Sequence, residues 1–260
     1  MGIEYVIGLD CPVKQELSLS RLIYLVKYGE TAKLLLEHLT KEEGKKEEEV
    51  LNYEVETGIL TADGCQEKKK SKISELLEEA KILEKFSGYC KECPANCGFD
   101  FGCYKSIRLP LSLKSESWLI DIAIEAINKG GVYAASMNSI FNKKIDGKFA
   151  ERLRKDPGLF FESDEPLKVE LELEGKKFML TSNQIFDFIF GAEKIDSDGV
   201  SVFLFFSGGL KQGKGEDGAV QFYFEFDENP DDDLSITQLK EFFTGLFVSY
   251  NLQKEVLIYV

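Results

Sequence analysis

Residues 167–180 read LKVELELEGKKFML, an alternation of apolar and charged side chains that Glu174-Gly175 interrupts. Because successive side chains of a strand point to opposite faces, this alternation predicts a half-buried strand, a turn at Glu174-Gly175 and a returning strand. The two strands of such a hairpin pair antiparallel, whereas parallel strands need a long crossover connection. This stretch therefore indicates an α+β fold and argues against a doubly wound parallel sheet.

The elements predicted beyond this hairpin complete the C-terminal region, residues 161–260. The expected order is β-β-α-β-β-α-β, with a mixed or antiparallel sheet and helices. Ser235, followed three residues later by Gln238, has the capping-box pattern that opens a helix. A flexible glycine-rich loop at 208–215 is expected between two aromatic strands. The elements after the hairpin are a helix at Asn183–Phe190, strands at Val200–Phe206 and Val220–Phe226, a helix from Ser235 to about Tyr250, and a strand at Glu255–Val260.

Residues 1–160 are predicted to be helix-rich and to contain a cysteine-rich segment at 86–104. Apolar side chains recur there with the three- and four-residue spacing of a helical face. Gly29 is expected to divide the first helical stretch into two helices. The two regions form separate domains or pack as one. The predicted elements are a strand at Glu4–Leu9 and helices at 22–39, 72–85, 115–128, 133–142 and 148–155.

Composition and charge narrow the class of protein. A chain of 260 residues with 43% hydrophobic and 30% charged residues is typical of a globular protein with a real core. The net charge of −14 argues against general affinity for nucleic acid or anionic membranes, since phosphates would be repelled. No apolar run approaches the roughly 20 residues of a membrane span, and Met1–Pro12 lacks a signal-peptide pattern. We therefore expect a cytoplasmic location, where cysteines are mostly thiols or metal ligands.

Four of the six cysteines fall within fourteen residues and form the most informative motif of the chain. Their spacing is C-x2-C-x3-C-x5-C, and they are Cys90, Cys93, Cys97 and Cys103. Thiolates are preferred ligands of zinc and of iron–sulfur clusters, and neighbouring Gly and Pro residues permit sharp turns around an ion. The sequence therefore predicts a metal site at these four cysteines, with structural zinc as the favoured cofactor.

Alternatives to zinc stay open because the spacing matches no standard template. It reverses the C-x3-C-x2-C order of radical S-adenosylmethionine enzymes and has longer later gaps than bacterial ferredoxins. A zinc ribbon separates its two cysteine pairs by many more residues. An iron–sulfur cluster at the same cysteines, with a redox or enzymatic role, is one alternative. Buried thiols or disulfides without metal are the other.

Three further residues are candidates for chemistry. Cys11 precedes Pro12 at a strand end, where a reactive thiol or a small buried apolar side chain could lie. His38 is the only histidine, so any catalytic base of that type would have to be this residue. Asp10 closes the first predicted strand and is the candidate for an unrelated carboxylate active site. Residues 227–233 form an acidic loop that lacks the pattern of a calcium-binding loop.

These observations predict a metal-binding protein, with the four thiolates closing a turn-rich segment. Since sulfur fills all four positions, no coordination position is left for a substrate, and the predicted role is a binding or scaffold module. Its partner would be another protein or a second copy of the chain. Whether the protein is an enzyme is left open.

Overall fold

The computed structural model describes residues 2–60, 66–97, 101–131, 134, 137, 145–173, 175–191, 197–215, 218–224 and 229–259. Helices and small antiparallel sheets make up this part of the chain, which confirms the predicted α+β class. The helix predicted over residues 133–142 lies, apart from two positions, outside the described residues. Cys65, Asp227 and Glu228 lie outside them as well.

The chain forms two compact units. The first unit consists of Met1–Gly8 and Cys103–Val260, and the second unit is the intervening Leu9–Gly102. These borders differ from the division near residue 160 that the sequence suggests. The N-terminal strand belongs with the C-terminal part of the chain because it supplies the central strand of that unit's sheet.

A three-stranded antiparallel sheet lies at the centre of the first unit. Strand β1 (Gly2–Ile7) pairs on one side with β4 (Tyr104–Arg108) and on the other with β9 (Val256–Tyr259). Tyr5 of β1 is buried, and its ring meets Phe242 edge-on with 4.8 Å between centroids. The sheet is thereby joined to the hydrophobic core through an aromatic contact.

Helices and two hairpins make up most of the other described elements of the first unit. Strands β5 (Lys168–Leu173) and β6 (Lys176–Thr181) form the predicted hairpin, in which Leu171 faces Phe178. A second hairpin joins β7 (Leu210–Lys214) to β8 (Val220–Phe224). The helices of this unit are α6 (Leu113–Lys129), α7 (Lys148–Leu153), α8 (Ser182–Gly191), α9 (Ser197–Phe206) and α10 (Leu234–Asn251).

The strand predicted at Val200–Phe206 is wrong, because these residues belong to helix α9. A short run that is apolar at every position but Ser201 shows neither a clear strand period nor a clear helical period, so its state is ambiguous from sequence. In the structure Val200, Phe203 and Phe206, three residues apart, are all buried. Gly208, with φ +69, follows in the left-handed conformation that commonly ends helices, and this was the overlooked signal.

Two further predictions for the C-terminal region are wrong. The flexible loop predicted at 208–215 is wrong over Leu210–Lys214, which forms strand β7. The region from Lys168 onward therefore has the order β-β-α-α-β-β-α-β. The capping box predicted at Ser235 is also wrong, since Asp233 caps α10 by accepting a hydrogen bond from the Ile236 N–H at 2.9 Å. The Ser235 hydroxyl accepts a hydrogen bond from the Ser112 N–H instead.

The second unit is built on one long helix, α2 (Leu19–Lys41). Helix α4 (Ile73–Ala80) packs against α2 and continues as a 3₁₀ helix, Lys81–Phe86, which matches the predicted extent. Strands β2 (Glu54–Leu60) and β3 (Gln66–Lys72) form an antiparallel hairpin. The short helices of this unit are α1 (Pro12–Leu17), α3 (Glu47–Val50) and α5 (Ser87–Lys91).

Gly29 does not divide α2, so the predicted break at this residue is wrong. It lies where α2 approaches α4, and a Cβ atom added to it would come within 2.8 Å of the Ala80 Cβ. Real Cβ atoms do not approach one another that closely, because their van der Waals shells would overlap. Gly29 is therefore a packing glycine rather than a helix breaker.

We expect Gly29→Ala to destabilise the protein by about 1–2 kcal/mol, since the cost of overpacking the contact between α2 and α4 exceeds the gain in helix propensity. The same change in Gly88, whose Cβ position meets no atom within 4 Å, is the matched control. Gly88→Ala should leave the free energy of unfolding unchanged or raise it by up to about 1 kcal/mol, because alanine favours a helix. Urea denaturation followed by far-ultraviolet circular dichroism measures both changes. Adding Ala80→Gly to Gly29→Ala should recover most of the loss; failure to recover any would contradict this packing argument.

Candidate functional site

The first three cysteines of the motif lie in the second unit on a segment of tight turns. Cys90 is buried in helix α5, whereas Cys93 and Cys97 are half-buried in the loop that follows. The Cys93 N–H donates to the Cys90 carbonyl at 3.3 Å, and the Asn96 N–H donates to the Cys93 carbonyl at 2.9 Å. The Asn96 side-chain Nδ2 also donates to the Cys90 carbonyl, at 2.8 Å. These bonds hold the backbone of Cys90, Cys93 and Asn96 in two consecutive turns.

The end of this segment is anchored by Phe101. Its φ of +58 is the left-handed conformation, which is rare for a bulky side chain and costs of order 1–3 kcal/mol. The Phe101 side chain is buried, and burial of an aromatic ring offsets a cost of this size. The Cys97 N–H donates a hydrogen bond to the carbonyl of Gly102, the residue after Phe101, at 3.3 Å. A backbone hydrogen bond thus joins Cys97 to Gly102, next to the buried ring of Phe101.

Cys103 is the first residue of the long C-terminal stretch of the first unit. It is buried, and its carbonyl accepts a hydrogen bond from the Ile7 N–H at 2.9 Å, next to the pairing of β1 with β4. Cys11, Cys90, Cys93, Cys97 and Cys103 are all thiols rather than disulfides. Within the described ranges, no group of three or more His, Cys, Asp or Glu side chains is arranged to hold a metal ion. The predicted four-cysteine site, zinc or iron–sulfur, therefore stays a prediction.

The other candidate residues belong to the second unit, where Asp10 and Cys11 are consecutive residues and His38 lies in α2. Cys11 is buried just before the six-residue helix α1. Asp10 is exposed, and the imidazole of His38 is exposed with its Nε2 3.9 Å from Glu43. None of these three lines the cavity described below. The structure therefore lends no support to a catalytic site at Asp10, Cys11 or His38.

Acidic residues of the first unit have structural partners. Asp232 forms an ion pair with Lys240 at 2.6 Å, both nearly buried, and Asp233 caps helix α10. Burial raises the pKa of the Glu241 carboxyl, and Lys105, 3.5 Å away, acts against that shift. The described part of the acidic loop therefore stabilises the start of α10.

A cavity in the second unit is the feature that sequence analysis missed. It has a volume of about 260 Å³ and lies between α2, the end of α4 with the 3₁₀ helix, and the cysteine segment, which contributes Ser87 and Phe101. Its apolar wall contains Leu25, Val26, Leu77, Leu83 and Phe101. No local pattern signals such a space, since it is formed by residues as far apart in the sequence as Leu25 and Phe101.

In comparisons with known proteins, the chain matches no protein-family model, no curated protein and no solved structure. In the part of the chain that is described, no helix combines the length and apolar content that crossing a membrane requires.

Proposed function

We propose that this is a metal-binding protein whose thiolates at Cys90, Cys93 and Cys97 hold a structural zinc ion. The observation that supports the proposal is the pair of consecutive turns that orders the backbone from Cys90 to Asn96, with Cys97 as the next residue. Cys103, six residues further along the chain, is the fourth ligand that the spacing predicts. Four sulfur ligands match the closed coordination of structural zinc sites.

The proposed zinc site forms as the metal binds. Thiol groups must lose their protons to become ligands, and structural metal sites are seldom complete before the ion arrives. Cys93 and Cys97 are only half-buried, so a metal ion can reach them from solvent. Zinc would then add stability to a segment whose only described helix is the five-residue α5. The role that follows is a binding or scaffold module rather than a catalyst, because no open coordination position remains.

The proposed location is the cytoplasm. Five described cysteines are thiols, and thiols persist in a reducing compartment, where a zinc–thiolate site also survives. The net charge of −14 disfavours nucleic acid and anionic lipid as partners, which leaves another protein or a second copy of this chain.

Anaerobically purified, untagged protein is expected to carry about one zinc ion per chain, without a visible absorption band. Cys93→Ser and Cys97→Ser should each lose most of this zinc, because a hydroxyl group is a far weaker zinc ligand than a thiolate. Cys11→Ala is the matched control, since Cys11 is a buried thiol outside the segment, and it should retain the full zinc content. Elemental analysis and a chelator-release assay give the measurement.

Two results would replace or overturn this proposal. Iron together with sulfide, and a broad band near roughly 400 nm, would assign the cysteines to an iron–sulfur cluster and a redox role. Absence of bound metal, combined with no uptake when the reduced protein is titrated with zinc, would remove metal binding altogether.

A further inference from the structure

The cavity in the second unit is small and has a largely apolar lining. Buried Leu25, Val26, Leu83 and Phe101, with half-buried Leu77, give it an apolar lining. Gly29 and Ala80 also line it, so the two residues that let the helices approach leave the space beside them open. Its volume of about 260 Å³ is just below the range of pockets for drug-sized ligands, roughly 300–1,000 Å³. A ligand of this cavity is therefore small and carries an apolar group.

Exposed charged side chains of both signs line the cavity. Helix α2 contributes Glu30 and Lys33, and the 3₁₀ helix contributes Lys81 and Glu84. Lys81 already forms an ion pair with Glu78, so Lys33 is the lysine of the lining that a ligand carboxylate would meet. A purely anionic ligand would meet two carboxylates here, and a purely cationic ligand would meet two ammonium groups. A molecule that carries both charges, in contrast, finds a complementary partner for each.

We propose that this cavity binds a free α-amino acid with a medium-sized apolar side chain, such as leucine or phenylalanine. The apolar side chain occupies the space lined by Leu25, Leu83 and Phe101. The ligand carboxylate faces Lys33, and its ammonium group faces Glu84. This site is separate from the proposed zinc site and does not depend on metal. It adjoins the cysteine segment, however, because Ser87 and Phe101 belong to both.

Calorimetric titration of the full chain with L-leucine and L-phenylalanine tests the proposal, with a parallel titration followed by two-dimensional amide NMR. We expect one binding site, and amide shifts that include Gly29 and Phe101. Glycine, which lacks an apolar group, should bind at least about tenfold more weakly. N-acetyl-leucine and leucine amide, which keep a single charge each, should both bind more weakly than leucine.

Matched variants locate the site. Leu77→Trp places a large ring at the half-buried lining position and should abolish binding, whereas Leu34→Trp, at a position 67% exposed on α2 and outside the lining, should leave it unchanged. Lys33→Gln should weaken binding by up to about fivefold, the usual range for an exposed charge pair, and Lys41→Gln on the same helix should not.

Several outcomes would overturn the proposal. One is the absence of binding by both amino acids at millimolar concentration, and another is undiminished binding by Leu77→Trp. Equal affinity for leucine, N-acetyl-leucine and leucine amide would refute the proposed recognition of both charges. Because Lys33→Gln changes only an exposed side chain, it tests the site even where Leu77→Trp fails to fold.

Discussion

Arg154→Met is expected to lower the free energy of unfolding by about 3–5 kcal/mol, because it leaves the charge of Glu116 buried without a partner. Only 3% of the Arg154 side chain and none of the Glu116 side chain is exposed. Glu116 lies in α6 and Arg154 directly after α7, so the ion pair joins two helices of the first unit.

The guanidinium group of Arg154 has an acceptor for each of its N–H groups. Nε donates to Asn183 Oδ1 at 2.7 Å, and Nη1 donates to the Ser163 carbonyl at 2.6 Å and to Glu116 Oε1 at 3.2 Å. Nη2 donates to Glu116 Oε2 and to the Ser182 hydroxyl, which itself donates to Glu116 at 2.7 Å. A planar, forked cation is required for this set, so Arg154→Lys should not restore the stability.

Trp118, the only tryptophan of the chain, reports this unfolding, since it lies on α6 with Glu116. Urea denaturation followed by its fluorescence measures the effect. Arg152→Met, a change of an exposed arginine in α7, is the matched control and should alter stability by less than about 0.5 kcal/mol. The double variant Arg154→Met with Glu116→Leu should be more stable than Arg154→Met alone, because no charge is then left buried. A loss below about 1 kcal/mol in Arg154→Met would contradict the argument.

Phe243→Ala is expected to cost about 3–5 kcal/mol, since it opens a cavity in the aromatic core of the first unit. Phe243 of α10 is fully buried. Its ring lies against Phe203 and Phe206 of α9, at centroid distances of 6.0 and 5.5 Å, and it stacks on Trp118 of α6 at 6.5 Å. One side chain therefore connects three helices.

Thermal and urea denaturation by circular dichroism measure the loss in Phe243→Ala, and the native fluorescence of Trp118 should change because its stacking partner is gone. Phe149→Ala is the matched control, because Phe149 is 41% exposed and should cost under about 1 kcal/mol. Phe243→Leu, which keeps most of the apolar volume, should cost less than half as much as the alanine variant. Equal losses in Phe243→Ala and Phe149→Ala would show that this ring is not central to the core.

The hairpin at Lys168–Thr181 and the helix that follows it were predictable because their signals are local. Alternation sets the strand faces, Gly175 with φ +75 suits the turn, and the register places Leu171 opposite Phe178 as the alternation requires. Val200–Phe206 lacked such a signal. It is a helix because its phenylalanines pack on α10, a segment about forty residues away in the sequence.

The two candidate sites also differ in whether the sequence contains a local signal for them. The cysteine motif is visible in the sequence because its members are close together along the chain. The cavity is not, because Val26 and Leu83 lie far apart and meet only where α2 packs against α4 and its 3₁₀ extension. Gly29 shows the difference at a single residue. Its local propensity indicates a helix break, whereas its contact with Ala80 requires a glycine inside an intact helix.

The sequence by itself determined the α+β class, the hairpin at Lys168–Thr181, most helix positions and the grouping of the cysteines, because periodicity and spacing are properties of neighbouring residues. Only the tertiary structure decided the state of Val200–Phe206, the continuity of α2, the pairing of Arg154 with Glu116 and the presence of the cavity. The physical reason is that these four depend on burial against segments distant in the chain, and burial outweighs local propensities of a few tenths of a kcal/mol.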